Sequence, residues 1–134
     1  MDVRMNTPPV DPEVLEMLET LQEPGEPDIL VELLTLFLRD TPERLRELTV
    51  EPLPVPTAAR VAHTVKGSAG NIGASRLQQL AGDLEHACRP HRQDEARAAL
   101  PTLVAALSAE YARVAQHLQL VIVARGGGAA SSTH

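Results

Sequence analysis

At 134 residues the chain has the length of one domain, too short for a nucleotide-binding kinase or ATPase domain beside a second core. Its 43% apolar content predicts a packed globule, and its net charge of −6 argues against non-specific binding to nucleic acid or anionic lipid. A single cysteine, Cys88, excludes an intrachain disulfide and a cysteine-cluster metal site. No apolar run reaches the roughly 18 residues of a membrane span. Nothing after Met1 resembles a secretory signal, so the expectation is a cytoplasmic protein. Nineteen leucines against one Phe, one Tyr and no Trp favour helices over strands.

Residues 1–10, with Pro8 and Pro9, are expected to fray. Asp11-Pro12-Glu13 starts a first helix: an aspartate N-cap, a proline in the first turn and an acid near the positive end of the dipole. Its apolar stripe is Val14, Leu15, Leu18 and Leu21, and Glu23-Pro24-Gly25-Glu26-Pro27 ends it. A second helix is predicted from Asp28 to Leu48, with Leu30, Leu33, Leu34, Phe37, Thr41, Leu45 and Leu48 at helical spacing. Pro42 is expected to kink or split it near Arg39 to Thr41. Residues 49–57, with Pro52, Pro54 and Pro56, read as an extended connector.

A third helix is predicted over Thr57 to Ile72, closed by Gly73 as its C′ residue. Ser75-Arg76-Leu77-Gln78 reads as a capping box opening a fourth helix, with Leu77, Leu80, Ala81, Leu84 and Cys88 inward and Pro90 as its stop. Asp94 is the expected cap of a fifth helix, whose stripe runs from Leu100 through Leu107 and Tyr111 to Val121, with Pro101 bending its first turns. Residues 124–134 offer no core-forming pattern and are expected to be disordered, so that removing 125–134 should be silent. The fold class is all-α: residues 11–123 form an antiparallel up-down-up-down four-helix bundle with a short additional N-terminal helix.

The run from His63 to Gly73 carries three glycines in a predicted helix, a propensity cost of roughly 2–3 kcal/mol against alanine. A helical wheel centred on Val65 gathers Ala58, Val61, Ala62, Ser68, Ala69 and Ile72 within about 60°. His63 falls at about 160°, nearly opposite the core, with Gly67 and Gly70 on the same outer face and Lys66 about 60° away. The wheel excludes a core histidine, and a passive surface histidine leaves Gly67 and Gly70 unexplained. Close helix packing is a further reason for glycines, but these lie off the apolar stripe. Side chains on a helix lean toward its N-terminus, so bulk at position 67 would lie over His63. Lys66, the only lysine beside eleven arginines, lies one turn away. An exposed imidazole, a clearing and an adjacent cation suit a transient phosphohistidine.

This segment resembles the signature of histidine-containing phosphotransfer (HPt) domains, H-x-x-K-G-S-[AS]-x-x-[LI]-G, matched at His63, Lys66, Gly67, Ser68, Ala69, Ile72 and Gly73. The similarity extends to Phe37-Leu38-Arg39-Asp40, Leu45 and Leu48, and to Leu77, Leu80, Leu84 and Glu85. The resemblance implies a phosphorelay carrier, with no kinase domain of its own. Its histidine accepts a phosphoryl group from a receiver-domain aspartate or a histidine kinase and passes it to another receiver aspartate. It further implies His63 as the phospho-accepting residue, Lys66 as the phosphoryl-stabilising cation and Gly67, with Gly70, as clearance for docking. Arg60 and Ser68 are weaker site residues. The implied partners are response-regulator receiver domains or a hybrid histidine kinase. The chain itself binds no cofactor, Mg²⁺ comes on the receiver, and a monomer is expected. The rival readings are a chemotaxis-type kinase's phosphotransfer domain and a helical adaptor with an inert His63. Docking is expected on the outer face of the third helix and the adjoining face of the fourth, where Ala59 and Ala74 would keep the surface low.

The remaining candidates carry less. His86 lies opposite its helix's apolar stripe, and with His91 it does not make ligand spacing across Pro90. Cys88 reads as a small core residue. Gly126–Gly128 neither follow a strand nor open a helix, so they are no nucleotide fingerprint.

Overall fold

The computed structural model describes residues 8–89 and 93–126. Among them are helices α1 (Pro12–Glu19), α2 (Ile29–Arg46), α3 (Val55–Asn71), α4 (Ser75–Ala87) and α5 (Gln93–Ala124), with a 3₁₀ turn at Glu47–Thr49 and no strand. The four longer helices make the antiparallel bundle. Packing is most extensive between α3 and α4, then between α4 and α5, and α1 rests against α2. No described helix is long and apolar enough to cross a membrane.

The local signals explain most helix starts. Asp11 caps α1 by accepting from the Glu13 N–H at 2.9 Å. Asp28 caps α2 by accepting from Leu30 and Val31. The apolar positions of α2 face inward as their spacing requires, with Leu30, Leu34, Phe37, Thr41 and Leu45 buried. Helix α3 begins at Val55, two residues earlier than expected. Pro56 lies in its first turn, where a missing N–H costs nothing.

Pro42 does not split α2, which continues to Arg46. A proline leaves the carbonyl four residues before it, here Leu38, without its helical donor. The Tyr111 hydroxyl of α5 approaches that carbonyl at 3.5 Å, a long and weak bond. The Phe37 and Tyr111 rings lie 5.9 Å apart beside it. Pro101 likewise lies within α5 without ending it.

Helices α3 and α4 are joined by a turn of three residues. The Ala74 N–H donates to Ala69 O at 2.9 Å and the Gly73 N–H to Gly70 O at 3.3 Å, the two bonds of a Schellman motif. Gly73 has φ +79°, and a β-carbon there would stand 2.7 Å from Val14 Cβ of α1. The Asp11 N–H donates to Gly73 O at 2.9 Å. The same glycine therefore turns the chain and seats α1. The expected capping box is absent: Ser75 is the first residue of α4, and its N-cap is Ala74, with no side-chain bond. Ala74 is fully buried, so a polar cap there would be desolvated and Ala74 is not part of any docking surface.

The packed unit is longer at both ends than expected. Val10 is buried at 1% exposure, so residue 10 is core and not a frayed end. Helix α5 runs past 123, and Arg125 forks onto Asp28 through Nε at 2.8 Å and Nη2 at 3.1 Å, with Glu19 at 3.3 Å. Removing residue 125 would therefore break a link from the end of α5 to the end of α1 and the start of α2. Asp94 lies inside α5 and does not cap it. Glu110, absent from the expected stripe, is buried on α5. Its Oε1 accepts from Arg113 at 2.9 Å, and its Oε2 has no partner among the described residues. The expectations for residues 1–7, Pro90, His91, Gly127, Gly128 and His134 lie outside the described residues.

Candidate functional site

The wheel drawn from sequence describes α3 well. Ala58, Val61, Ala62, Val65, Ala69 and Ile72 are buried, whereas the His63 side chain is 71% exposed. The helix thus holds an imidazole on solvent by burying its opposite face in the bundle.

The α3–α4 hairpin decides what surrounds the ring. Residues equally far from Ala74 along the two antiparallel helices face each other, so His63 meets Glu85, Lys66 meets Gly82 and Gly70 meets Gln78. His63 Nδ1 lies 2.8 Å from Glu85 Oε2. Lys66 Nζ lies 2.6 Å from the other oxygen, Oε1. One carboxylate therefore holds both the imidazole and the ammonium. The hydrogen bond from Lys66, and after it that from His63, hold the Glu85 carboxyl below the usual carboxylate range against the opposing effect of burial. An ionised carboxylate only accepts, so Nδ1 is the ring's donor and carries the proton. In the neutral ring Nε2 is then the nitrogen with the free lone pair, and it has no hydrogen-bond partner among the described residues.

The other expected site residues are distributed as follows. A β-carbon on Gly67 would meet nothing within 4 Å, so the surface beside His63 is open there. Gly70 is different. A β-carbon would stand 2.6 Å from Gln78 Nε2, so the Gln78 side chain covers this glycine and it leaves no clearing of its own. Gly82 admits the Lys66 stem, whose Cδ would lie 3.6 Å from a β-carbon at that position. Arg60, one turn before His63, is bound to Glu47 Oε1 at 2.6 Å, and this bond holds the Glu47 carboxyl below its ordinary range. Ser68 is half-buried and lines a groove of about 410 Å³ between α3, α2 and the end of α1.

Glu85 is the site residue that reading the sequence passed over, although it lies within the matched pattern. Its signal is the hairpin itself: with a turn centred near Ala74, positions 63 and 85 must face each other. His86 is exposed and Cys88 is buried, where desolvation pushes its thiol up. No group of three or more His, Cys, Asp or Glu side chains placed to hold a metal occurs among the described residues.

Comparison with known proteins agrees with this geometry. No curated protein matches the sequence. Among solved structures, the chain is similar to histidine-containing phosphotransfer protein B from Pseudomonas aeruginosa PAO1, with 28% identity and a TM-score of 0.72 over 85% of this chain and 94% of that one. It shares its fold with the histidine-containing phosphotransfer protein ZmHP2 from maize, at 24% identity and a TM-score of 0.72 over 86% of this chain and 83% of that one. The family model for the Hpt domain matches residues 32–117, which span α2 to α5 and include His63, Lys66, Gly67 and Glu85, and the chain belongs to that family.

Proposed function

We propose that the chain is a phosphorelay carrier in which His63 Nε2 takes a phosphoryl group from a receiver-domain aspartate or a histidine kinase. It returns that group to another receiver's aspartate. The observation that carries this reading is the exposed ring itself, fixed at Nδ1 by Glu85 and open at Nε2 beside a bare Gly67. Lys66 places an ammonium on the carboxylate that binds the ring, close enough to turn toward phosphoryl oxygens once they arrive. The chain acts as a carrier and not as an enzyme by itself. It binds no cofactor, and the receiver brings the Mg²⁺. The protein works as a monomer in the cytoplasm.

The receiver docks over the ridge made by His63, Gly67 and Asn71, which recur every four residues on α3. On one side of that ridge lies the Lys66–Glu85 pair. On the other lies the groove shared by Ser68, Asn71 and α2, bordered by Leu21 at 54% and Leu36 at 44% exposure. Exposed leucines at the rim of a groove are suited to a small, transient contact, on the order of 1,200 Å² or less. The docking face therefore extends toward α1 and α2 as well as α4.

The test is to incubate the protein with receiver domains carrying labelled phospho-aspartate. Label should leave the receiver and appear on this chain within the receiver's own dephosphorylation time. A receiver panel that never loses label to the wild-type protein contradicts the reading.

A further inference from the structure

We infer that Gln22 is a positioning residue for receiver docking: its carboxamide gathers the loop between α1 and α2 and so sets Leu21 at the rim of the groove that the receiver covers. The inference deepens the carrier reading and rests on the docking face given above.

The loop is short of donors. Between α1 and α2 the chain runs Glu23-Pro24-Gly25-Glu26-Pro27, and neither proline has an N–H. Gly25, at φ +82°, turns the chain back. The carbonyls of Glu23, Glu26 and Pro27 converge on one side chain, and Gln22 Nε2 donates to them at 3.1, 2.9 and 3.0 Å. Two hydrogens serve three acceptors, so one is shared. The other end of the amide is used as well: Gln22 Oε1 accepts from the Ile29 N–H at 2.8 Å. That N–H is the first of α2 and has no acceptor within the helix. The Asp28 side chain takes the next two, of Leu30 and Val31. Only one orientation of the carboxamide satisfies all four partners, because three are acceptors and one is a donor.

Polar bonds and not burial set the shape of this loop, since residues 20–27 are all exposed. Arg125 clasps its two ends from outside, through Glu19 and Asp28. Gln22 binds the residues between them. Leu21 depends on that shape, because it lies beyond Glu19, the last residue of α1. Helix α1 has eight residues, too few to keep its direction alone. Its first end is seated on Gly73, and its last end leads into the loop. With Leu18, Leu21 lines the α1 side of the groove whose other walls are α2 and α3. Gln22 is not one of the groove's lining residues, so its effect on docking passes through Leu21.

The experiment measures single-turnover transfer from a labelled phospho-receiver against receiver concentration. The proteins are the wild type, Gln22→Ala, Gln22→Glu and Leu36→Asp, at a temperature where circular dichroism shows all four folded. Alanine removes both ends of the clamp. Glutamate keeps an acceptor for Ile29 but turns a charged oxygen on the three carbonyls. The half-saturating receiver concentration should rise several-fold in both Gln22 variants with the limiting rate unchanged, because the loss falls on binding and not on His63. Amide hydrogen exchange at Ile29 should quicken in Gln22→Ala and less in Gln22→Glu. A purely structural role would lower the melting temperature and leave half-saturation where it was. Half-saturation that keeps its wild-type value in Gln22→Ala while rising in Leu36→Asp overturns the inference. Half-saturation unchanged in Leu36→Asp overturns instead the docking face beneath it, and a wild type that never takes label overturns the carrier reading.

Discussion

A β-carbon added to Gly67 would meet no atom within 4 Å, and the position lies in the interior of an exposed helix face. Gly67→Ala should therefore stabilise the fold by roughly 0.5–1 kcal/mol, the ordinary propensity difference. Gly67→Gln should be tolerated as well. Both should slow phosphotransfer, the glutamine more, because a helical side chain at 67 leans back across His63. Melting temperature measured beside transfer rate checks this, and a Gly67→Gln protein that keeps the wild-type rate refutes the clearance argument. Lys66→Ala should slow transfer through loss of charge, so its defect should vary with salt more than that of Gly67→Gln. The positions of His63, Lys66 and Gly67 were legible from the 3.6-residue period of one helix. Glu85 and the covering of Gly70 by Gln78 were not, because they depend on the register between two helices, which a wheel of one helix does not contain.

Two links between elements carry predictions that the sequence alone did not suggest. Gly73 combines a positive φ with a 2.7 Å approach to Val14, so Gly73→Ala must both strain the backbone and push α1 away. The expected cost is about 2–4 kcal/mol in chemical denaturation. The fork of Arg125 on Asp28 is a partly exposed pair, and Arg125→Gln should cost about 0.5–1 kcal/mol near neutral pH. Arg125 is the largest cause holding the Asp28 carboxyl below its ordinary value. A depressed folded-state value means stability that is present above the unfolded carboxylate value and lost as pH falls through the folded one. The difference between wild type and Arg125→Gln should accordingly shrink as denaturation is repeated at pH values descending through the carboxylate range, and a constant difference would exclude the pair as its source. Gly73 was readable as a helix terminator, since glycine at C′ is a local rule. Its contact with Val14 was not, and neither was the use of Arg125, whose glycine-rich surroundings looked like an unstructured tail.

At the level of the whole molecule, helix number, order and antiparallel packing followed from spacing and punctuation, because each amphipathic stripe had only one way to be covered. The prolines at 42 and 101 did not change that outcome. Helix α2 continues through Pro42, where a kink or split was expected, with Phe37 and Tyr111 packed beside the freed carbonyl of Leu38. The shape of the docking face was only half legible, since the groove bordered by Leu21 and Leu36 exists only where α1, α2 and α3 meet. Leu36→Asp should weaken receiver affinity several-fold with no loss of melting temperature, because Leu36 is already exposed. Titration of a receiver followed by NMR should show shifts on α1 and α2 as well as α3, and shifts confined to α5 would reject this face.

The residue that receives the phosphate decides whether His63 is the acceptor. Wild-type protein and His63→Gln, shown to melt alike, are exposed to the same labelled phospho-receiver, and the modified chain is tested for acid and base stability. Label should appear on the wild type alone, lost in acid and kept in base as a phosphoramidate requires. Label on His63→Gln, or label that survives acid, would contradict that role.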